Sequence, residues 1–316
     1  MENTLTTTRK LNFYGKGGDL FGIMIANTFL TLFTLGLYYP WARVKMLKYM
    51  YQSTELNESR FAFHGTGPEI FKGFIKAYGL IILIYGLFYG MLYAGMPIVA
   101  IIFFFVAIML FTPIAIHGSL KYRMSRSSLK GIYFSYNGTL PDMIKVVFSG
   151  FFLTMITFGL YSAWFRVSLM KQMFNNIKYG NVSLKFTGDG ADLFTTFIKG
   201  YFLTIFTLGI YFFRFMAQMQ NFVISHLELE QGEKRGVFYS TLNGWDFFKL
   251  LFVNGLIITF TLGLGYPWVI ARSISLIYSK IELVDDLDWD SIEQEASGTA
   301  SATGDILTEG LDLQII

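Results

Sequence analysis

Five acids recur at one place in a repeated pattern: Asp19, Glu69, Asp142, Asp192 and Asp246. Drawn into a ring, such carboxylates would bind cations or pass protons. Taken singly, each would complement the positive end of the helix it begins. Threonines recur as well, as Thr31 and Thr34, Thr154 and Thr157, Thr204 and Thr207, with Thr259 and Thr261 in the last copy. Hydroxyls at fixed depth can line a polar path, so Thr34, Thr157, Thr207 and Thr261, together with Lys199, are the candidates for a pore or solute path. The plainer account has each hydroxyl bonding back to its own helix or satisfying a break beside glycine. Gly36, Gly159, Gly209 and Gly263 suit a helix break, a hinge or close helix approach. Arg43, Arg166, Arg214 and Arg272 follow the break and would meet anionic lipid headgroups or an anionic solute, or simply anchor the interface. Lys199 stands inside a short apolar segment, where a cation marks a functional position unless its stem snorkels to the headgroups.

Other chemistries lack their residues. His64, His117 and His226 have no metal-ligand spacing. The chain has no cysteine, which removes thiol catalysis, thiolate metal sites and disulfides together. No serine nucleophile elbow or Walker loop is present, and Gly15-Lys16-Gly17-Gly18 runs into an acid rather than the Lys-Ser/Thr of a phosphate cradle. The sequence therefore predicts no enzyme, no cofactor and no metal.

The residues above sit in tandem copies of one unit. Residues 13–43 read FYGKGGDLFGIMIANTFLTLFTLGLYYPWAR, and 136–166, 186–214 and 242–272 repeat the order. The acid precedes the glycine by seventeen residues in all four copies. A fifth copy begins at Phe63-His64-Gly65 and Glu69, then becomes a double apolar run without the Thr-Leu-Gly signature. Each unit opens with an alternating, strand-like stretch (11–15, 60–65, 133–138, 182–188, 237–244) that ends in a glycine turn. An apolar helix follows, then Tyr and Trp above a cation, the composition of an interfacial anchor. Residues 40–52 suit a basic helix at the headgroups, and 275–283 reads as a last strand-like stretch. The units fall near 11–53, 60–130, 133–180, 182–230 and 237–284.

Of the 316 residues, 53% are hydrophobic and only 15% charged, against about 25% charged in soluble domains. Six hydrophobic segments stand out, at 20–41, 77–94, 98–116, 146–165, 193–213 and 250–271. A bilayer core of about 30 Å takes about 20 such residues as a helix. The polar first eighteen residues, with no small-residue cleavage site after the first apolar run, argue against a cleaved signal peptide. Residues 285–316 carry nine acids and no base, an acidic tail expected to be disordered. The body keeps thirteen acids against twenty-five bases, which fits anionic lipid rather than nucleic acid.

Residues 29–43, FLTLFTLGLYYPWAR, resemble the YjgN-like family of bacterial inner membrane proteins, a domain family of unknown function, and echoes extend to Arg272. The resemblance implies a multi-pass place in the bacterial cytoplasmic (inner) membrane and carries over no site residues.

Two topologies remain open. In the first, each segment crosses once, but the loops then show no asymmetry of Lys and Arg. Alternatively the Thr-Leu-Gly is the tip of a helical hairpin, and every strand returns to one face to find partners. The fold class expected is an α-helical polytopic membrane protein of tandem repeats, with short interfacial β elements. The function expected is a channel or transporter for a small solute or ion, with a non-transporting membrane scaffold or lipid-binding assembly factor as the alternative. Membrane lipids, anionic ones first, are the expected partners, and a homo-oligomer is compatible with the pattern.

Overall fold

The computed structural model describes residues 7–294. Its centre is a closed, antiparallel ten-stranded barrel. In chain order the elements are β1 (Thr7–Phe13), α1 (Gly17–Phe33), α2 (Tyr39–Gln52), β2 (Thr54–Leu56), β3 (Ser59–Phe63), α3 (Gly67–Tyr93), α4 (Pro97–Ser125), β4 (Ser127–Leu129), β5 (Ile132–Tyr136), α5 (Leu140–Ile156) and α6 (Ser162–Phe174). There follow β6 (Ile177–Tyr179), β7 (Val182–Phe186), α7 (Gly190–Phe206), α8 (Phe212–Ser225), β8 (Leu227–Gln231), β9 (Lys234–Ser240), α9 (Gly244–Phe260), α10 (Tyr266–Ser279) and β10 (Ile281–Asp285). Strands pair with their sequence neighbours, and β1 closes the circle against β10, with Thr7 opposite Asp285.

The repeat explains the architecture. Each apolar helix leads to a tight reversal and a second helix that returns the chain to the barrel, so five helical hairpins alternate with the β-hairpins. Asn57 and Glu58, and Lys130 and Gly131, all have positive φ, the signature of two-residue turns whose twist matches the strands. The aromatic-x-Gly ends of the strands are packing units. The Phe13 ring lies over Gly15 so closely that a Cβ there would sit 2.3 Å from it, and Tyr136 covers Gly138 in the same way. Apolar side chains fill the barrel, including Leu56, Leu129, Tyr179 and Val182. Ion pairs such as Lys185–Glu230 (2.9 Å) and Lys10–Glu282 (3.4 Å) lie outside. An apolar interior and strands of three to seven residues are opposite to a membrane-spanning barrel, which needs about 9–11 residues per strand and an apolar exterior.

The helices form a second ring, in which each packs on the next and α10 packs back on α1. Hairpins interlock through Trp and Gly. Trp41 of α2 covers Gly67 of α3, Trp164 covers Gly190, and Trp268 covers Gly17 to close the ring.

The expected α-helical polytopic fold is overturned by this closed β-barrel. Among the described residues only α3 and α4, of 27 and 29 residues, are long and apolar enough to cross a membrane. Segments 20–41, 146–165, 193–213 and 250–271 each contain the reversal, so none is one continuous helix. The basic stretch 40–52 is the returning arm α2, and 275–283 is mostly the end of α10 rather than strand. Of the acidic segment, residues 285–294 run across one end of the barrel, burying Leu287 and Ile292. The rest lies outside the described residues.

Candidate functional site

The hairpin tips are built by local hydrogen bonding. At the end of α1, Leu35 and Gly36 take φ of 51° and 92°. The Gly36 N–H donates to the Thr31 carbonyl (2.7 Å) and the Leu35 N–H to the Leu32 carbonyl (3.1 Å), a Schellman closure. The Thr34 hydroxyl donates to the Leu30 carbonyl (2.7 Å) and accepts from the Tyr38 N–H (3.0 Å), joining the end of one helix to the start of the next. Thr157, Thr207 and Thr261 make the same bridge, with Tyr161, Tyr211 and Gly265 as donors at 3.0, 2.9 and 2.7 Å. Gly159, Gly209 and Gly263 repeat the left-handed turn. Backbone groups satisfied in this way can stand in hydrocarbon, where an unmet N–H or C=O costs several kcal/mol. The side chains at the turn point outward. Leu35, Phe158, Leu208 and Leu262 are 94%, 98%, 95% and 92% exposed.

The recurrent acids sit at the other ends of these helices and do local work. Asp142 pairs with the Thr139 hydroxyl (2.6 Å), Asp246 accepts from the Asn243 N–H (3.2 Å), and Glu69 meets Arg126 (3.0 Å). No cluster of three metal-ligating side chains occurs among the described residues. Lys199 is exposed on α7.

The four arginines do not occupy equivalent places. Arg43 and Arg166 follow the tip glycine by seven residues, Arg214 by five and Arg272 by nine, so a helix turns them to different faces. Arg166, Arg214 and Arg272 are exposed. Arg214 stacks on Tyr211 at 5.9 Å, and Arg272 borders a cleft beside Asp246 and Lys249. Arg43 turns inward, to a cavity of about 740 Å³ where the helix ring meets the barrel. Arg123, near the end of α4, lines the same cavity with Met24, Met50, Tyr51 and Tyr278, and none of its lining residues among those described is a carboxylate. The Arg123 Nε is buried without a hydrogen-bond partner.

A side cleft of about 360 Å³ between α1 and α2 shares Met24, Arg43 and Met46 with that chamber and reaches Thr31 and Leu32 near the tip. Asn27 lines it, its amide nitrogen donating to the Ala42 carbonyl (3.1 Å) while Oδ1 stays buried and unbonded. Sequence reasoning missed Arg123, because the second unit loses the repeat signature that points to the others. Asn27 was findable: it stands eight residues after Asp19, as Asn254 stands eight after Asp246, a lone amide in an apolar run.

Below the chamber the barrel is shut. Leu287, Trp289 and Ile292 enter its far end and share its apolar interior with Leu129, Phe134 and Tyr179. Asp285 holds this segment: 2% exposed, it bonds Arg9 (3.0 Å), the Trp289 indole N–H (2.9 Å) and the Leu287 N–H (3.2 Å). Burial pushes the Tyr179 phenol up to about 12, while its O–H donates to the Leu129 carbonyl (2.8 Å).

Sequence comparison places this geometry among known chains. "Inner membrane protein YjgN" of Salmonella typhimurium is 32% identical over 160 residues, 51% of this chain and 39% of that protein. The Escherichia coli K12 protein of the same name is 30% identical over 156 residues, 48% of this chain and 37% of its own length. The chain thus spans less than two-fifths of the length of these curated relatives. No solved structure matches it. The inner-membrane relatives and the exposed apolar tips agree that this is a membrane protein of the bacterial inner membrane. The pattern of the family described as bacterial protein of unknown function (DUF898) matches residues 8–213 and 212–310, and the chain belongs to that family.

Proposed function

We propose that this protein is a lipid-binding scaffold of the inner membrane, with its hairpins dipped into the bilayer from one side and its barrel held at that surface. The observation that carries this reading is the set of four tips whose apolar side chains are more than nine-tenths exposed. Moving a Leu or Phe side chain out of water contributes roughly 1.5–3 kcal/mol, and each tip carries several such neighbours. Helices of 17 residues reach about 25 Å, short of a core of about 30 Å, so these four hairpins enter without crossing. The α3–α4 pair reaches about 40 Å and crosses twice, which makes the protein multi-pass through that pair. Only 6% and 22% of their most apolar stretches are buried in the protein, unlike core helices of a soluble fold.

The test uses a chain without native cysteine. A fluorophore on Leu208→Cys in liposomes should be quenched by lipids carrying a nitroxide deep in the acyl chain and spared by aqueous iodide. Quenching by iodide instead would refute insertion.

A second reading, passage of a small solute, draws on the 740 Å³ chamber. It requires Leu287, Trp289 and Ile292 to leave the barrel. Solute flux into protein-loaded liposomes, raised when the plug is loosened by Trp289→Ala, would favour it; no flux from either protein would count against it.

A further inference from the structure

We propose, resting on the membrane-inserted reading above, that the cleft between α8 and α9 binds one phospholipid whose headgroup carries a hydroxyl. Its phosphate meets Arg214, the headgroup O–H meets Asn221, and an acyl chain lies along the outer face of α9. The site is the junction where the lock between hairpins loses its tryptophan. Trp41, Trp164 and Trp268 each follow a tip glycine by five residues, and each covers a glycine that stands two residues before a recurrent acid. After Gly209 that place belongs to Arg214, while the glycine to be covered, Gly244, is kept. The two helices draw together there, since a Cβ on Gly244 would stand 2.9 Å from the Arg214 Cα. Their approach leaves a cavity of about 490 Å³, whose lining includes Arg214, Gln218, Asn221, Leu242 and Trp245.

The lining states what it would take. The Asn221 amide nitrogen donates to the Leu242 carbonyl (2.8 Å), which fixes the amide's orientation, and its Oδ1 is buried with no donor among the described residues. A ligand that fits brings an O–H or N–H to that oxygen. The exposed Arg214 guanidinium lies 5.9 Å from the centre of the Tyr211 ring, and the Tyr211 hydroxyl donates to Gln218 (3.2 Å). A planar fork of N–H groups held in this way suits a phosphate. Lys249 places its Nζ 5.2 Å from the Trp245 ring, so cations flank the cleft on both helices and a hydroxyl donor is favoured over an ammonium. The acid nearest in the chain, Asp246, is engaged by Lys280 (3.5 Å) and the Asn243 N–H (3.2 Å). A free phosphate would use the cleft alone. Trp245, Phe248 and Phe252 continue from it as a stacked ladder, with ring centres 5.1 and 5.8 Å apart, along the helix that ends at the exposed Leu262 tip. Hydrocarbon laid on these rings points toward the bilayer centre, which commits the site to a lipid.

The experiment is lipid binding to the whole chain in a neutral detergent, read by native mass spectrometry and thermal stability. The probes are phosphatidylglycerol, phosphatidylcholine, which has the phosphate without a headgroup donor, and inorganic phosphate. The wild-type protein should retain one phosphatidylglycerol and be stabilised by it, hold phosphatidylcholine more weakly, and ignore inorganic phosphate. Asn221→Leu should weaken phosphatidylglycerol by about tenfold and leave phosphatidylcholine unchanged. Arg214→Trp restores the tryptophan of the other copies and fills the cleft, so it should abolish retention of both lipids without lowering the melting temperature of the lipid-free protein. Lys145→Gln, the loss of one exposed charge on α5, should change neither lipid. Inorganic phosphate stabilising as well as phosphatidylglycerol, equal retention of the two lipids by the wild-type protein, equal loss of both in Asn221→Leu, or unchanged retention in Arg214→Trp would each overturn the assignment. The wild-type arms decide even where a variant fails to fold. Tip quenching on Leu208→Cys reads insertion separately, so a cleft without headgroup selectivity is told apart from a protein that does not enter the bilayer.

Discussion

Tyr179 shows how the barrel interior governs behaviour at the scale of one residue. Its buried phenol is held neutral, with a pKa pushed up to about 12 from an ordinary value near 10. The stability this contributes is complete below pH 10 and is lost as pH rises toward 12. Tyr179→Phe should therefore cost about 1 kcal/mol at neutral pH, for the lost bond to the Leu129 carbonyl, and the gap to wild type should narrow above pH 10. Urea unfolding at pH 8 and pH 11 measures it. Tyr136, raised to about 12 by burial as well, keeps part of the alkaline slope in the variant. Asp285→Ala should cost more, about 3–5 kcal/mol, because it strands Arg9 in a largely buried pair; it should also expose Trp289, read as a red shift and iodide access of its fluorescence. Residue types were well signalled in the sequence where the repeat preserved them. The threonines were visible as a motif, but the hydroxyl bridging two helices needs the reversal to be known first. Arg43 and Arg166 share an offset from the tip, and only their neighbours decide which faces the chamber.

At the scale of the element, the hairpin tip is the unit that repeats. The seventeen-residue spacing from acid to glycine is the length of one arm, and it is legible in the sequence. Whether that glycine ended a crossing or turned the chain was not, because both readings place an apolar helix before it. What decides is the pair of left-handed residues at Leu35 and Gly36 and the bridge from Thr34. Gly209→Ala places a Cβ at φ of 92°, and should cost about 1–2 kcal/mol. Thr207→Val keeps the shape and removes the bridge to the Tyr211 N–H, at about 1–3 kcal/mol for a donor left unmet in an apolar setting. Thermal unfolding in detergent should show both losses. Gly190→Ala tests the lock between hairpins, since a Cβ there would stand 2.3 Å from the Trp164 ring; overpacking of that kind costs about 1–3 kcal/mol. The short strands β2, β4 and β6, three residues each, left no periodic signal, and their omission hid the barrel.

At the scale of the whole molecule, the described residues form two rings on one axis of construction: a barrel with an apolar interior and, upon it, the ten helices among them, ending in five tips. Composition pointed to lipid, and the long uncharged runs to crossing helices, because hydropathy counts apolar residues without seeing where a chain reverses. Closure of both rings depends on pairings between the two ends of the chain, β1 with β10 and Gly17 with Trp268, which no local pattern carries. The central claim is that every short hairpin ends inside the bilayer while the barrel stays on one side. Single cysteines at Leu35, Phe158, Leu208 and Leu262, at Met96 between α3 and α4, and at Asn57 and Lys130 in the barrel turns test it in one experiment. With an impermeant thiol reagent applied from each side of oriented vesicles, the four tips should resist labelling from both sides, Met96 should label from one side, and Asn57 and Lys130 from the other. Ready labelling of the four tips from either aqueous side, or labelling of Met96 from the same side as the barrel turns, would contradict the account.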